Sequence, residues 1–244
     1  MSGHSKWATI KRQKGIADIK KGQIFTKLAK AIIIAVKQSG GLTDPSQNFK
    51  LRLAMDKAQE ANMPKENIAR AIERAKGIKE GELSEIIYEG FAPHGVSVMV
   101  EAVTDNSQRT AAEVKNIFNK AGGSFGQPGS VAYQFSQMGR VTVKKDGKSL
   151  EDIFLLAADS GAEDIDEDND EVVILTPADK LAAVRSKLAG SGLNIVEAAL
   201  IRLPINPVFV ENPESVAKVN SFIETLESLD DVQKVYSNLN YENQ

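Results

Sequence analysis

Residues 86–104, IIYEGFAPHGVSVMVEAVT, mark the point at which the chain changes its hydrophobic period. Ile86 to Phe91 and Val96 to Thr104 are β-branched and alternating, the period of a half-buried strand. Pro93 and Gly95 between them supply a turn. The stretch predicts two strands joined as a hairpin, and the segments between Ile24 and Lys76 follow a different period.

Upstream the spacing is helical. Ile24, Phe25, Leu28, Ile32, Ala35 and Val36 fall on one face of a helix over 24–38, stopped by Gly40-Gly41. Lys27, Lys30 and Lys37 fall opposite, so a basic outer face is expected. A second helix, from about Pro45 or Asn48 to Ala61, turns Leu51, Met55 and Ala58 inward. Met63-Pro64 breaks it, and proline suits the first turn of a third helix over about 64–76. That helix buries Ile68, Ile72 and Ala75 and exposes Lys65, Arg70 and Arg74. Three short amphipathic helices with short connections predict a small bundle.

Downstream of the hairpin, a helix over 110–121 carries Ala111, Val114, Ile117 and Phe118 inward. The loop GGSFGQPGS at 122–130 then introduces a strand at about 131–136. Two later stretches share one plan. A strand at 172–175 leads through Thr176-Pro177 to a helix with Leu181, Val184 and Leu188 and a strand at 194–202. A strand at 208–211 leads through Asn212-Pro213 to a helix with Val216, Val219, Ile223 and Leu226 and a strand at 232–237. In both, a capping residue precedes a proline in the first helical position.

Block 131–203 therefore reads β-β-α-β-β-α-β, enough for helices packed on one sheet. Segments 82–125 (β-β-α) and 205–238 (β-α-β) are each too small to cover a sheet face alone, and would complete one another. The expected fold is α+β and multidomain. It comprises a basic three-helix bundle with an N-terminal arm at 1–80, a discontinuous α+β sandwich at 81–130 and 205–240, and an inserted α+β sandwich at 131–204.

The net charge of −3 hides an asymmetry. Residues 1–80 carry 17 Lys and Arg against 7 Asp and Glu, whereas residues 81–244 carry 13 against 26. A basic lobe on an acidic body presents one attractive surface to a polyanion and repels it elsewhere. The longest apolar run, Ala31 to Val36, is too short to span a bilayer, and the N-terminus lacks the apolar core of a signal peptide. With no cysteine, disulfides and thiolate chemistry are excluded, and a cytoplasmic protein is expected.

Enzymatic readings find little support. His4 and His94 are isolated, without a partner set for metal or triad chemistry. The acidic run 163–171 lacks the glycine and the terminal glutamate of a calcium loop, so it reads as a solvated hairpin around Asn169-Asp170. Loop 122–130 has no Gly-Lys-Ser/Thr and neither follows a strand nor opens a helix, so it is a conformational turn rather than a phosphate loop. No enzyme activity, metal or cofactor is expected.

The N-terminal arm remains. It carries Lys6, Lys11, Arg12, Lys14, Lys20 and Lys21 against Asp18, with the chain's one tryptophan at Trp7. Lysine and arginine neutralise phosphates through counterion release, and an aromatic ring between them can stack on a base. Alternatively the arm is a solvated tail, and Trp7 a latch onto the bundle.

GHSKWATIKRQKG (3–15), FTKLAKAIIIAVKQSGG (25–41), NMPKENIARAIERAKG (62–77), YEGFAPHGV (88–96), TDNSQRT (104–110) and GGSFGQPGSV (122–131) resemble the YebC/PmpR family, which includes the mitochondrial translational activator of cytochrome c oxidase. The resemblance covers essentially the whole chain. It departs at Phe91–His94, where the family commonly carries a glycine-rich tripeptide, and at Ser107-Gln108-Arg109, where it often carries Arg-Asn-Arg. It implies a helical N-terminal domain, two α+β domains with the middle one discontinuous, and no enzymatic activity.

By motif match, Gly3, His4, Ser5, Lys6 and Trp7, followed by Lys11 and Lys14, are the implied contact segment, with Lys65 and Asn67 in the Met-Pro-Lys-Glu-Asn-Ile segment. Adding the basic residues of the bundle, the candidate nucleic-acid-binding set extends to Arg12, Lys20, Lys21, Lys27, Lys30, Arg70 and Arg74. The expected function is a non-enzymatic, nucleic-acid-binding regulator of gene expression, namely a DNA-binding transcriptional regulator. The alternative is a ribosome-associated translation factor that contacts rRNA or tRNA and aids synthesis of difficult, proline-rich sequences. The acidic domains could also bind a protein partner; no membrane is implied.

Overall fold

A computed structural model describes residues 21–77 and 82–240. Helices α1 (Lys21–Gln38), α2 (Phe49–Glu60) and α3 (Lys65–Gly77) form the N-terminal bundle. They are followed by β1 (Ser84–Phe91), β2 (Ser97–Thr104), α4 (Ser107–Lys120) and a short β3 (Ser124–Phe125). Then come β4 (Phe135–Lys144), α5 (Leu150–Ser160), β5 (Asp164–Asp168), β6 (Glu171–Pro177), α6 (Leu181–Gly190) and β7 (Asn194–Pro204). Helix α7 (Pro213–Glu227) and β8 (Val232–Ser237) complete the described chain. The fold is α+β: a helical bundle and two four-stranded sheets, ordered β3-β1-β2-β8 and β5-β6-β4-β7. It divides into two compact units, one of residues 1–135 with 204–244 and one of residues 136–203.

In the first unit, α1 is central. Its run Ala31–Val36 includes Ile32, Ile33, Ile34, Ala35 and Val36, all buried, as a helix apolar on every side must be. One face packs on α2 and α3 through Leu51, Ala58, Ile68 and Ala71; the same cluster takes in Leu83 and Val103 from the sheet. The bundle and the first sheet therefore share a core. Asn48 caps α2 by accepting from the Leu51 N–H at 3.0 Å, and its amide donates to the Ala35 and Leu42 carbonyls, which ties the end of α1 to the start of α2.

The hairpin forms as its alternation predicts, with Ile87 opposite Glu101 and Gly90 opposite Val98. His94 turns it at φ 67°. Strand β8 joins β2 antiparallel, so the C-terminal segment completes this sheet. Helices α4 and α7 cover it through Val114, Phe118, Val219, Phe222 and Ile223. Gly90 is required because a Cβ there would lie 2.5 Å from the Ser124 carbonyl oxygen.

In the second unit β4, α5, β5, β6, α6 and β7 follow one another, with the Asn169-Asp170 turn between β5 and β6 and Asn169 at φ 55°. Val141, Val143, Ile153, Ile174, Leu181 and Leu188 are among its buried residues. Arg140 is paired with Glu197 inside this unit.

Four expectations are corrected. The predicted strand at 131–136 is a 3₁₀ turn, Ala132–Gln134, before β4, so block 131–203 contains one strand fewer than expected. Here the Val131 and Ala132 N–H groups donate to the Glu89 carboxylate, which removes them from any ladder. Val208 makes only an isolated parallel bridge to Leu239 instead of opening a strand at 208–211. Thr176-Pro177 does not cap a helix: both residues pair with β4 opposite Gly139 and Met138, and α6 begins after a 3₁₀ turn without a side-chain cap. Asn212-Pro213 does cap α7, with Asn212 accepting from the Glu214 N–H. The fourth correction concerns α1, whose expected basic outer face is instead turned onto the sheet.

Candidate nucleic-acid interface

Lys27 and Lys30, one turn apart on α1, meet the α7–β8 connection. Lys27 Nζ donates to the Glu227 carbonyl at 2.5 Å, and Lys30 Nζ to Asp231 Oδ1 at 2.5 Å. Lys37 Nζ donates to the Leu83 carbonyl at 2.8 Å. Burial lowers the Lys27 ammonium from its ordinary value, against the pull of Glu227 and Asp230. Lys27 and Lys30, expected as phosphate contacts, are thus engaged within the first unit. Helical periodicity places these residues off the bundle core correctly, but a second apolar neighbour on that side was not legible from α1 alone.

Asp231 is the hub of this junction. Its side chain, 6% exposed, accepts from Lys30, from Thr104 Oγ1 at 3.0 Å, from Thr110 Oγ1 at 2.6 Å and from Arg109 at 2.7 Å. Burial opposes its ionisation, yet the hydrogen bonds from Lys30, Thr110 and Arg109 outweigh that and hold the carboxyl well below the usual carboxylate range. Arg109 also reaches Asp105 at 2.9 Å, and its guanidinium is held still more firmly protonated. The sequence offered no signal for this cluster, whose members are spread from 30 to 231.

The glycine-rich loop is also occupied from within. Glu89, buried on β1, accepts from the Gly129, Val131 and Ala132 N–H groups at 2.7, 2.7 and 2.9 Å. A carboxylate of the protein itself fills the anion-binding nest that a phosphate would need.

What α3 presents is different. Lys65, Arg70 and Arg74 are exposed on it, and none makes an ion pair with a described residue. Asn67 is half-buried between them. Arg70 and Arg74, with Asn67, form one wall of a cleft of about 410 Å³ whose other wall is α1. Phe25, Ala29, Ile33, Met63 and Ala71 give it an apolar lining, of which periodicity singles out only Phe25, and that as a core residue. Gly3, His4, Ser5, Lys6, Trp7, Lys11, Arg12, Lys14 and Lys20 lie outside the described residues, and Lys21 opens α1 with its side chain undescribed. No helix among the described residues is long and apolar enough to cross a membrane.

Comparison with known proteins places this architecture. Residues 5–78 match the TACO1/YebC protein N-terminal domain, and residues 83–239 match the TACO1/YebC second and third domain. A protein of Thermomicrobium roseum named "Probable transcriptional regulatory protein" is 45% identical over 243 residues, covering 99% of this chain and 97% of that one. One of Roseiflexus castenholzii with the same name is 47% identical over 244 residues, covering 98% and 95%. The crystal structure of a conserved hypothetical protein from Aquifex aeolicus superposes with a TM-score of 0.84 at 39% identity, covering 93% of each chain. With both domain models matched end to end along it, the chain belongs to the TACO1/YebC family.

Proposed function

We propose that the protein is a non-enzymatic, nucleic-acid-binding regulator of gene expression that acts through its basic N-terminal segment. The observation that carries this reading is the contrast on the bundle. Lys27, Lys30 and Lys37 of α1 are engaged internally, whereas Lys65, Arg70 and Arg74 stand exposed on α3. Cations with no ion-pair partner among the described residues are those free to displace counterions from phosphates. The arm residues Lys6, Lys11, Arg12 and Lys14 extend the same charge in sequence. Relatives named as transcriptional regulators support DNA as the target. An apolar cleft beside the arginines favours a second reading, in which unpaired RNA on the ribosome is the target, because unstacked bases are what such clefts accommodate.

The test is a salt series of binding titrations with duplex DNA and with rRNA fragments. Charge reversal of Lys65, Arg70 and Arg74 together should lower affinity and flatten the dependence of log K on log salt by roughly 0.7–0.9 for each phosphate no longer neutralised. Reversal of Lys6, Lys11, Arg12 and Lys14 should do the same. Unchanged affinity and slope in both variants would refute the reading. Crosslinking in cells then separates the targets: promoter DNA supports transcriptional control, and rRNA or tRNA supports action in translation.

A further inference from the structure

The cleft between α1 and α3 has a shape and chemistry that plain phosphate neutralisation does not call for. We propose that it receives one unstacked base of a single-stranded nucleic acid, with Arg70 and Arg74 holding the flanking phosphates. This rests on the reading of the α3 face as a nucleic-acid surface, and adds that the surface selects unpaired strands.

Three features point to this occupant. First, the floor is apolar and includes one aromatic ring. Phe25, Ala29 and Ile33 lie at successive turns of α1, and Met63 and Ala71 face them from the other wall. A volume of about 410 Å³ is in the range of roughly 300–1,000 Å³ typical of sites for small organic molecules. Small Ala29 and Ala71 leave room for a flat ring that larger side chains would fill.

Second, the cleft has a polar reader. Asn67 lines it, half-buried, and its carboxamide makes no hydrogen bond among the described residues. A carboxamide donates and accepts at once, as the edge of a base requires.

Third, the charge is suited to the backbone of the same nucleotide. Of the charged residues lining the cleft, Lys30 is paired with Asp231 and Asp105 with Arg109. Arg70 and Arg74 make no ion pair with a described residue, and they outnumber the one other acidic lining residue, Glu82. They stand one turn apart, ~6 Å along the helix axis by its rise per residue, comparable to the step between successive phosphates of an extended strand. An apolar peptide would have no use for these two guanidiniums, and a duplex would keep its bases stacked away from the floor.

The experiment uses the full chain and a short RNA carrying one 5-iodouridine, either single-stranded or annealed to its complement. The single strand is expected to bind about tenfold or more tightly than the duplex, the scale of one base–aromatic stack. Irradiation should crosslink it at Phe25 or Met63. Ala29→Phe, which fills the cleft, should bring single-strand affinity down to the duplex level and leave duplex affinity unchanged. Asn67→Ala, on the accessible side of α3, should weaken single-strand binding several-fold with an unaltered melting temperature, and so serves if Ala29→Phe disturbs packing. Salt-dependent binding with no strand preference, or crosslinks confined to other segments, overturns the base pocket and leaves the basic face standing. Absence of binding to both probes at low salt overturns both.

Discussion

Asp231 shows how much one residue can organise. Its carboxylate accepts hydrogen bonds from three elements at once, Lys30 on α1, Thr104 at the end of β2, and Arg109 and Thr110 on α4. Its own carbonyl accepts from the Val103 N–H at 2.8 Å, where the β2–β8 pairing is irregular. Asp231→Asn is expected to cost about 3 kcal/mol, because it leaves the Lys30 ammonium facing a neutral amide in a partly buried site. Chemical denaturation at neutral pH measures this. The pH dependence has a definite sign. A carboxyl depressed in the folded state contributes its stability in full above its unfolded pKa of about 3.9 and loses it as pH falls below that value. The native protein should therefore lose stability steeply on acidification below about pH 4, and Asp231→Asn should flatten that limb. None of this was legible in the sequence, where nothing singles out Asp231 and Lys30 reads as part of a basic outer face of its helix. Long-range polar pairs leave no periodic trace.

At the scale of elements, the helices declared themselves best. The expected bounds of α1, α2 and α3 agree with the observed ones to within a few residues, since amphipathic spacing and the Gly40-Gly41 and Met63-Pro64 stops act locally. Strands were legible where alternation was strong, as in β1 and β2. They failed where the backbone serves another group, as at 131–134 beneath Glu89 and at 208–211, where Val208 N–H donates to the Asn238 carbonyl and Asn240 N–H to that of Val208. The α1–α2 corner offers a test of local control. Asn48 is 4% exposed, and beyond capping α2 it reaches the Ala35 and Leu42 carbonyls and Ser39 Oγ at 2.7 Å. Asn48→Ala removes a cap and strands those acceptors, so a loss of about 2–3 kcal/mol is expected, above the ~1 kcal/mol of an ordinary cap. Asn48→Asp keeps the capping oxygen but loses the amide donors, and thermal unfolding should place it between the two. Equal stability of Asn48→Ala and the native chain would mean that the corner is held by the Leu51 and Ala58 packing alone.

At the scale of the molecule, the charge asymmetry acquires a structural basis different from a basic lobe held away from an acidic body. Bundle and first sheet share the core around Ile33, Leu83 and Val103 and lie in one compact unit, while residues 136–203 form the other. Those 68 residues carry 13 acidic and 8 basic side chains, while residues 81–135 with 204–244, in the same unit as the bundle, carry 13 and 5. Within the first unit, Ile205 N–H donates to the Gln134 carbonyl at 2.8 Å, so the two points at which the chain leaves and re-enters are a hydrogen bond apart. A short glycine linker can therefore replace 136–203 without stretching either end, since closing a small loop costs little. The excised protein should unfold in one cooperative transition, because β8 and α7 still complete the first sheet and its cover. Removing a net −5 should also strengthen its binding to nucleic acid at low salt, with the gain vanishing as the Debye length shrinks below the size of a domain. Calorimetry and a salt titration decide both points. Failure to fold would show that the first unit depends on the inserted one. Unchanged low-salt affinity would show that the acidic unit exerts no repulsion on the polyanion where it binds.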